Sequence, residues 1–353
     1  MSEKKAVASA VQKKSFAELY SKYGTFTILI LVMIIGTIAS PKFLTLDNMS
    51  NVIRQNSYLL IIAFGTTFVM VVGCINIAYD NMLALVGCAS CLLYVGLNGN
   101  LVITVLASLL LGALLGLIYG FLVTHFNLPP FIVGLAISSA CQGLTLLITG
   151  GRSIPGTMGT SYTFIGQGTI FGVPVPIIIM FACMAVTWVI LRKMIFGRHA
   201  IAVGGNRQAA IASGIRAKRV IRIVYVMDGL LLGLAAVVFM SRLGVGQPNP
   251  GTGYGFDAIT GVNIGGASLS GGSGGAVGTF IGVLIVGLLN NIMNLRGLSS
   301  AWQFLVKCRG HHCLRRPAGY RIQPGCGVRQ QRGRHQRCSP DSGPGRHLVS
   351  AQR

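Results

Sequence analysis

The dominant pattern along this chain is a series of long apolar runs separated by short polar segments. Since about 20 helical residues cross the ~30 Å hydrocarbon core of a bilayer, runs close to that length predict transmembrane helices. Before residue 192 the pattern predicts six spans, at residues 24–40, 58–78, 82–97, 101–125, 131–149 and 171–191. A porin-like barrel is disfavoured, because its strands alternate apolar and polar positions over about ten residues.

The second half of the chain carries further apolar runs with one interruption. A seventh span is predicted at residues 221–240 and a ninth at Ala276–Leu295. Between them, residues 256–275 are so rich in glycine that a regular buried helix is weak there. Irregular backbone at membrane depth is tolerated only where it packs in protein or lines a wet cavity. The interruption therefore predicts a broken or re-entrant pore element.

A tenth apolar run begins near Ser299 but stops at Lys307. The following residues are rich in Arg, Gln, Gly and Pro and show no apolar periodicity. Three interpretations of residues 308–353 are open: a basic disordered tail, a shifted reading frame and a zinc site. A shifted frame is preferred, because the codons for residues 311–316, read one base later, permit Ile, Ile, Val, Cys, Val and Ala. Zinc is disfavoured because the Cys and His spacings match no paired Cys-x2-Cys arrangement.

Composition agrees with a membrane protein. The 353 residues are 52% hydrophobic and only 10% charged, which leaves too little polar surface to cover a water-soluble globule. The 48 glycines favour helices that pack closely through small residues. The predicted fold class is all-α: a polytopic membrane helix bundle of about nine to ten transmembrane helices, with one short helix outside the membrane.

The charge distribution predicts how the chain is oriented. The formal net charge is +22, but 11 of the 29 Lys and Arg residues lie between positions 307 and 353, so nucleic-acid binding is disfavoured. The other basic clusters are the N-terminal tail, residues 1–22, and the segment 192–222, as expected of cytoplasmic segments. With residues 1–22 in the cytoplasm, six crossings return the chain to the cytoplasm at Arg192, so charge and span count agree. A signal peptide is the disfavoured alternative for the N-terminal run.

No pattern for covalent chemistry is found in the sequence. It contains no Gly-x4-Gly-Lys-Ser/Thr loop and no His-Glu-x-x-His. Five cysteines fall inside apolar runs without metal-like spacing and are expected to be buried free thiols. No catalytic residue, metal or cofactor is predicted. If ATP drives transport, another polypeptide must hydrolyse it.

The segment 196–215 predicts a short capped helix. Asn206 is a good N-cap, residues 207–213 suit two helical turns, and Gly214 can adopt the left-handed conformation that ends a helix. A helix this short is marginal in water and needs a surface on which to dock. Small side chains would allow close approach to a partner groove: Ala209, Ala210, Ala212 and Ser213. An ordinary cytoplasmic loop helix is the alternative on local chemistry alone.

These residues resemble the coupling motif of the permeases of ABC importers for ribose, xylose, arabinose and galactose. That motif reads FGR, then GGN-E-E-A-A, then S-G, and in the family its helix docks in the ATPase subunit. The resemblance extends from about Phe43 to Lys307, with further matches at residues 128–133, 148–151, 241–248, 254–259, 265–272 and 289–291. It assigns ATPase coupling to nine residues: Gly204, Gly205, Asn206, Arg207, Gln208, Ala209, Ala210, Ser213 and Gly214.

The resemblance implies a permease subunit that translocates a small sugar, a pentose or hexose, across the bacterial inner membrane. Implied partners are an ABC ATPase subunit, a periplasmic sugar-binding protein, a second permease copy in a homo- or heterodimer, and the lipid bilayer, but no nucleic acid. The implied layout is a cytoplasmic tail at 1–22, a transmembrane domain at 23–307 with a coupling loop at 192–222, and an aberrant tail at 308–353. Three alternatives stay open: an ABC permease for another polar solute such as an amino acid or a signalling furanone, an ion-driven carrier, and an inactive truncated permease.

Two departures from the family pattern change the expectations. Arg207 and Gln208 stand where the family has two acids, and Arg207 puts positive charge at the positive end of a helix dipole, which predicts weaker or differently partnered docking. Where the family reads G-G-I-D-L-S-V-G, residues 73–80 lose an acid at Asn76 and gain one at Asp80. Substrate choice is therefore expected to differ from that of close relatives.

The polar interruptions at 73–80 and 261–274 lie one in each half of the chain. In transporters built from repeats, paired interruptions mark a pathway at the membrane midplane. By that analogy the predicted pathway comprises Asn76, Asp80, Phe131, Asn263, Asn290 and Asn291. For the polar members, a hydrogen bond between helices is the favoured alternative. Asp228 and Asp257 are candidates for an ion pair with an arginine at the end of a span.

Overall fold

A computed structural model describes residues 24–155, 157, 159–249 and 253–297. Residues 169–170 and 173–174 form a short antiparallel hairpin, with Thr169 opposite Pro174. In chain order the elements are α1 Gly24–Ala39, α2 Leu46–Val71, α3 Tyr79–Gly96, α4 Leu101–His125, α5 Pro130–Thr149, α6 Thr163–Gln167, β1 Thr169–Ile170, β2 Val173–Pro174, α7 Val175–Arg192, α8 Ile195–Gly205, α9 Arg207–Ala212, α10 Ala217–Leu243, α11 Tyr254–Ile264 and α12 Ala276–Leu295.

The described residues confirm a helical membrane architecture. Among them, six helices are long and apolar enough to cross a bilayer, namely α3, α4, α5, α7, α10 and α12. The apolar helix α1 is shorter. The predicted count of nine to ten spans is not reached in this part of the chain. The start of the predicted tenth span and the tail at 308–353 lie outside the described residues.

Helix α2 is the largest departure from the predicted boundaries. It begins at Leu46, well before the expected residue 58, and ends at Val71, well before residue 78. Its start is polar, and Thr45 caps it by accepting a hydrogen bond from the Asn48 N–H at 3.4 Å. Residues 57–71 are buried without exception. A helix that is buried all round lies in the interior of a bundle, so α2 forms the centre of the core.

Helices α4 and α10 pack backbone to backbone through glycine. A Cβ added to Gly112 would overlap the Gly229 carbonyl oxygen, and one added to Gly229 would overlap the Gly112 carbonyl. Small residues four apart let helices approach closely, which compensates for the weak hydrophobic drive between helices in lipid. The predicted role of glycine is confirmed at this interface. The five described cysteines are buried and free, as expected.

The predicted interruption at 256–275 is half helical. Residues 254–264 form α11, and the irregular backbone is confined to 265–275. Helix formation by the first half was not expected from its glycine content; α11 gains a cap from a residue far away in sequence. A second irregular segment, residues 72–78, separates α2 from α3. The core thus contains two interruptions, which we call the first interruption (72–78) and the second interruption (265–275).

Candidate coupling segment and pathway residues

Helix α9 has the predicted caps. The side-chain oxygen of Asn206 accepts the Ala209 N–H at 3.0 Å, and Asn206 has the extended backbone of an N-cap. Gly214 has φ +84°, and the Ile215 N–H donates back to the Ala210 carbonyl at 3.0 Å, which closes the C-terminus. The helix ends at Ala212, one residue earlier than predicted. A separate helix, α8, precedes it directly; together we call residues 195–214 the α8–α9 segment.

Helix α9 is attached to the rest of the protein by one face. Ala210 is 4% exposed and belongs to the main core, so it does not face a partner as the sequence suggested. The exposed residues of the predicted set are Gly205, Asn206, Arg207, Gln208, Ala209, Ser213 and Gly214. Ile211 is 50% exposed on the same helix and was missed by the sequence analysis. Its signal was a single large apolar residue among small and polar ones.

Gly204, near the C-terminus of α8, lies beside the end of α2 and the second interruption. A Cβ on Gly204 would overlap the Val71 carbonyl oxygen and lie 2.7 Å from the Gly272 nitrogen. Gly205, its neighbour, has only the Gly272 Cα at 4.0 Å from an added Cβ. The two glycines that the coupling motif shares are therefore in different environments.

Asn76 is bonded within the protein. It is 1% exposed; its Oδ1 accepts the Ala78 N–H at 2.9 Å, and its Nδ2 donates to Asp228 Oδ2 at 3.0 Å. The Tyr79 hydroxyl donates to Asp228 Oδ1 at 3.0 Å. Asp228, 2% exposed on α10, therefore accepts bonds from Asn76 in the first interruption and from Tyr79 at the start of α3, not from the arginine considered above. Of the two interpretations of Asn76, a pathway residue and a hydrogen bond within the bundle, the second fits these contacts.

Asp80 caps another helix. Its carboxylate accepts the N–H of Gly253 at 2.8 Å and that of Gly255 at 2.9 Å, at the N-terminus of α11. An acid at this end satisfies free donors and complements the helix dipole. Because Asp80 is itself in the first turn of α3, the starts of α3 and α11 are held side by side.

The other predicted pathway residues are spread over three helices. Asn291 on α12 and Asn48 on α2 exchange two side-chain hydrogen bonds of 3.0 Å each. Asn290 has a buried Oδ1 without a hydrogen-bond partner in the described part of the chain. Asn263 is exposed at the end of α11, and Phe131 is 57% exposed at the start of α5. Three of the six predicted residues, Asn76, Asp80 and Asn291, thus bond to the protein itself.

A cavity of about 320 Å³ brings the coupling and interruption residues together. Its lining includes Gly73 and Cys74 of the first interruption, Ser270 of the second, and Gly204 and Arg207 of the α8–α9 segment. This volume is at the lower end of that of small-molecule sites. The cavity lies where the α8–α9 segment meets both interruptions.

Comparison with known families decides the class of protein. The model of the family described as branched-chain amino acid transport system, permease component, matches residues 48–307. The chain belongs to this permease family. The match ends at Lys307, the residue at which the apolar pattern also breaks. Together with the six apolar helices, membership makes the chain a multi-pass protein of the inner membrane and a transport component, not an enzyme.

Individual relatives of this permease are named as sugar transporters. It is 44% identical to the ribose import permease protein of Bacillus subtilis over 298 residues, 83% of this chain and 91% of that protein. It is 37% identical to the ribose import permease protein of Escherichia coli K12, over 82% and 91%. It is 34% identical to the D-allose transport system permease protein of the same organism, over 86% and 93%. The resemblance to sugar ABC permeases is confirmed. No solved structure matches the chain significantly.

Proposed function

We propose that this chain is the transmembrane permease subunit of an ABC importer that moves a small sugar, a pentose or hexose, across the bacterial inner membrane. The observation that carries the proposal is the similarity to the ribose import permease of Bacillus subtilis, 44% identity over 91% of that protein. The allose and arabinose permeases, at 34% and 31%, support the same substrate class.

The proposed partners are an ABC ATPase subunit, a sugar-binding protein outside the membrane and a second permease copy. Helix α9 supports the ATPase contact, because it is fixed to the core by Ala210 and exposes the rest of its surface. ATP binding closes the ATPase and displaces the α8–α9 segment. Permease helices then alternate access to the two sides of the membrane, a coupling between separate sites.

The proposed topology places residues 1–22 and the loop 192–222 in the cytoplasm. The positive-inside rule supports this orientation, since eight basic residues lie between positions 192 and 222. The finer proposal of nine to ten spans adds α1, α2, α11 and the run that begins near Ser299 to the six helices that meet the length and hydropathy criteria. Labelling of single introduced cysteines in the loops from each side of the membrane tests this topology.

Uptake measured with a panel of solutes tests the proposed substrate. The permease is reconstituted in liposomes with its cognate ATPase and binding protein, and ATP-driven uptake of labelled ribose, allose, arabinose and leucine is compared. Uptake of at least one sugar, without uptake of leucine, supports the proposal; the reverse supports an amino-acid permease. Uptake that persists without the ATPase supports an ion-driven carrier instead.

The coupling role of α9 needs its own test. Ala209 is exposed, so the change A209E alters the docking surface without disturbing the core, whereas a bulky group at Ala210 would disrupt packing. We expect A209E to reduce both retention of the ATPase subunit and sugar uptake. If neither changes, α9 does not contact the ATPase.

The tail at 308–353 is proposed to arise from a shifted frame. Sequencing of the gene around codon 307 tests this directly, since a neighbouring frame must then encode an apolar stretch continuing from Val306. Comparing uptake by the present and frame-restored forms shows whether the present form is an inactive permease.

A further inference from the structure

Three backbone segments, the end of α8, the end of α2 and the second interruption, meet at one point without a side chain between them. A Cβ on Gly204 would overlap the Val71 carbonyl oxygen and lie 2.7 Å from the Gly272 nitrogen, and the Gly272 N–H donates to the same Val71 carbonyl at 2.9 Å. From the other side, a Cβ on Gly271 would lie 2.7 Å from the Gly204 carbonyl oxygen. We call this contact of Gly204, Val71, Gly271 and Gly272 the glycine junction.

The glycine junction ties the first interruption to the second. Val71 ends α2 directly before the first interruption, and Gly271 and Gly272 lie within the second. Both glycines have the left-handed backbone, φ +87° and +82°, which other residues adopt only with strain. The turn at Gly271 and Gly272 therefore holds the backbone of the second interruption close to that of Val71.

The same two parts of the chain are joined again at their far ends. The first interruption leads into α3, whose Asp80 accepts two N–H groups at the start of α11. Helix α11 in turn leads into the second interruption. Helices α3 and α11 and the two interruptions thus form a closed unit, joined by Asp80 at one end and by the glycine junction at the other.

We propose that Gly204 is the positioning residue that passes movement of the α8–α9 segment to this unit. The inference rests on the proposed coupling function of that segment. Backbone contact without an intervening side chain leaves no rotamer to absorb a small displacement, and packed interiors transmit strain. A displacement of α8 then moves both interruptions together, and with them Asn76, Asp80 and the start of α11.

Two alanine changes of helical glycines, one in α8 and one in α5, test the proposal. G204A adds a methyl group that forces the junction apart, whereas G143A adds the same group to α5, where an added Cβ meets nothing within 4 Å. Both are measured in the full complex for ATPase retention, ATP hydrolysis and sugar uptake. We expect G204A to retain the ATPase and hydrolyse ATP but to lose uptake about tenfold, and G143A to behave as wild type.

The outcomes separate this inference from the proposed function. If G204A and G143A both transport at the wild-type rate, Gly204 does not pass on the movement, although the importer function stands. If the ATPase fails to bind even the wild-type permease, the proposed coupling function itself is wrong, and the inference with it.

A measurement on the wild-type complex covers the case in which G204A does not fold. Amide hydrogen exchange is compared with and without a non-hydrolysable ATP analogue. We expect protection to change in residues 69–74 and 268–274 together with 204–214, since the Gly272 N–H is bonded to Val71. A change confined to 204–214 would overturn the proposal.

Discussion

Asn76 and Asp228 form a hydrogen bond of 3.0 Å that joins the first interruption to the middle of α10. Both side chains are almost fully buried, at 1% and 2% exposure. The Asn76 amide oxygen also accepts the Ala78 N–H, and the Asp228 carboxylate also accepts a hydrogen bond from the Tyr79 hydroxyl. When all of these hydrogen bonds are made, a buried polar network favours one arrangement of the elements that it joins. The first prediction follows from this.

N76D is expected to destabilise the protein, and adding D228N in a double variant is expected to restore its stability. The single change sets two carboxyl groups about 3 Å apart in a buried site, at a cost on the order of 2–3 kcal/mol. The double change reverses the roles of amide and carboxylate, and the introduced carboxylate can still accept the Ala78 N–H. Thermal unfolding in detergent measures both. A double variant no more stable than N76D would show that the network does not fix this contact.

D80A is expected to loosen the start of α11. The carboxylate satisfies two backbone donors, Gly253 and Gly255, and loss of a capping side chain costs about 1–2 kcal/mol. Faster amide exchange in Tyr254–Ile264 is the predicted signature. D47A is the control, because Asp47 is an exposed acid in the first turn of α2. Equal exchange in α11 of the two variants would contradict the capping role.

Local signals in the sequence predicted α9 well, because its caps lie within the helix or next to it. Asn206 bonds three residues ahead, and Gly214 follows the last turn. The partner of Asp80 could not be predicted in this way, since Gly253 is 173 positions further along the chain. Asp80 was therefore interpreted as a pathway residue, although the fold makes it a helix cap.

The limits of helix α2 were missed for a different reason. Hydropathy alone marks where apolar residues begin, but a helix begins where its first free N–H groups find acceptors. Thr45 supplies one at the polar start of α2. At the other end, Gly73 has φ +75° and stops the helix although the following residues are still apolar.

Glycine at the α4–α10 interface should not tolerate alanine. G229A would force its methyl group against the Gly112 carbonyl, and overpacking of this kind costs about 1–3 kcal/mol. The control is G143A in α5, where an added Cβ meets nothing within 4 Å. Thermal unfolding in detergent should show a loss of stability for G229A and little change for G143A. A tolerated G229A would mean that the two helices separate easily at this point.

Ile211 is expected to be the main anchor of α9 in the ATPase. It is the large apolar side chain of a helix whose other exposed residues are small or polar, and it is 50% exposed in the isolated chain. Anchors that fill a partner pocket dominate binding energy, so I211A should weaken retention of the ATPase about tenfold or more. The matched control is I195A, which truncates a 62% exposed isoleucine at the start of α8. Retention is measured by co-purification at a series of ATPase concentrations. If I195A weakens retention of the ATPase as much as I211A does, the ATPase contacts the broader surface of the α8–α9 segment and not α9 in particular. If neither change weakens retention, the contact is made through polar groups such as Arg207.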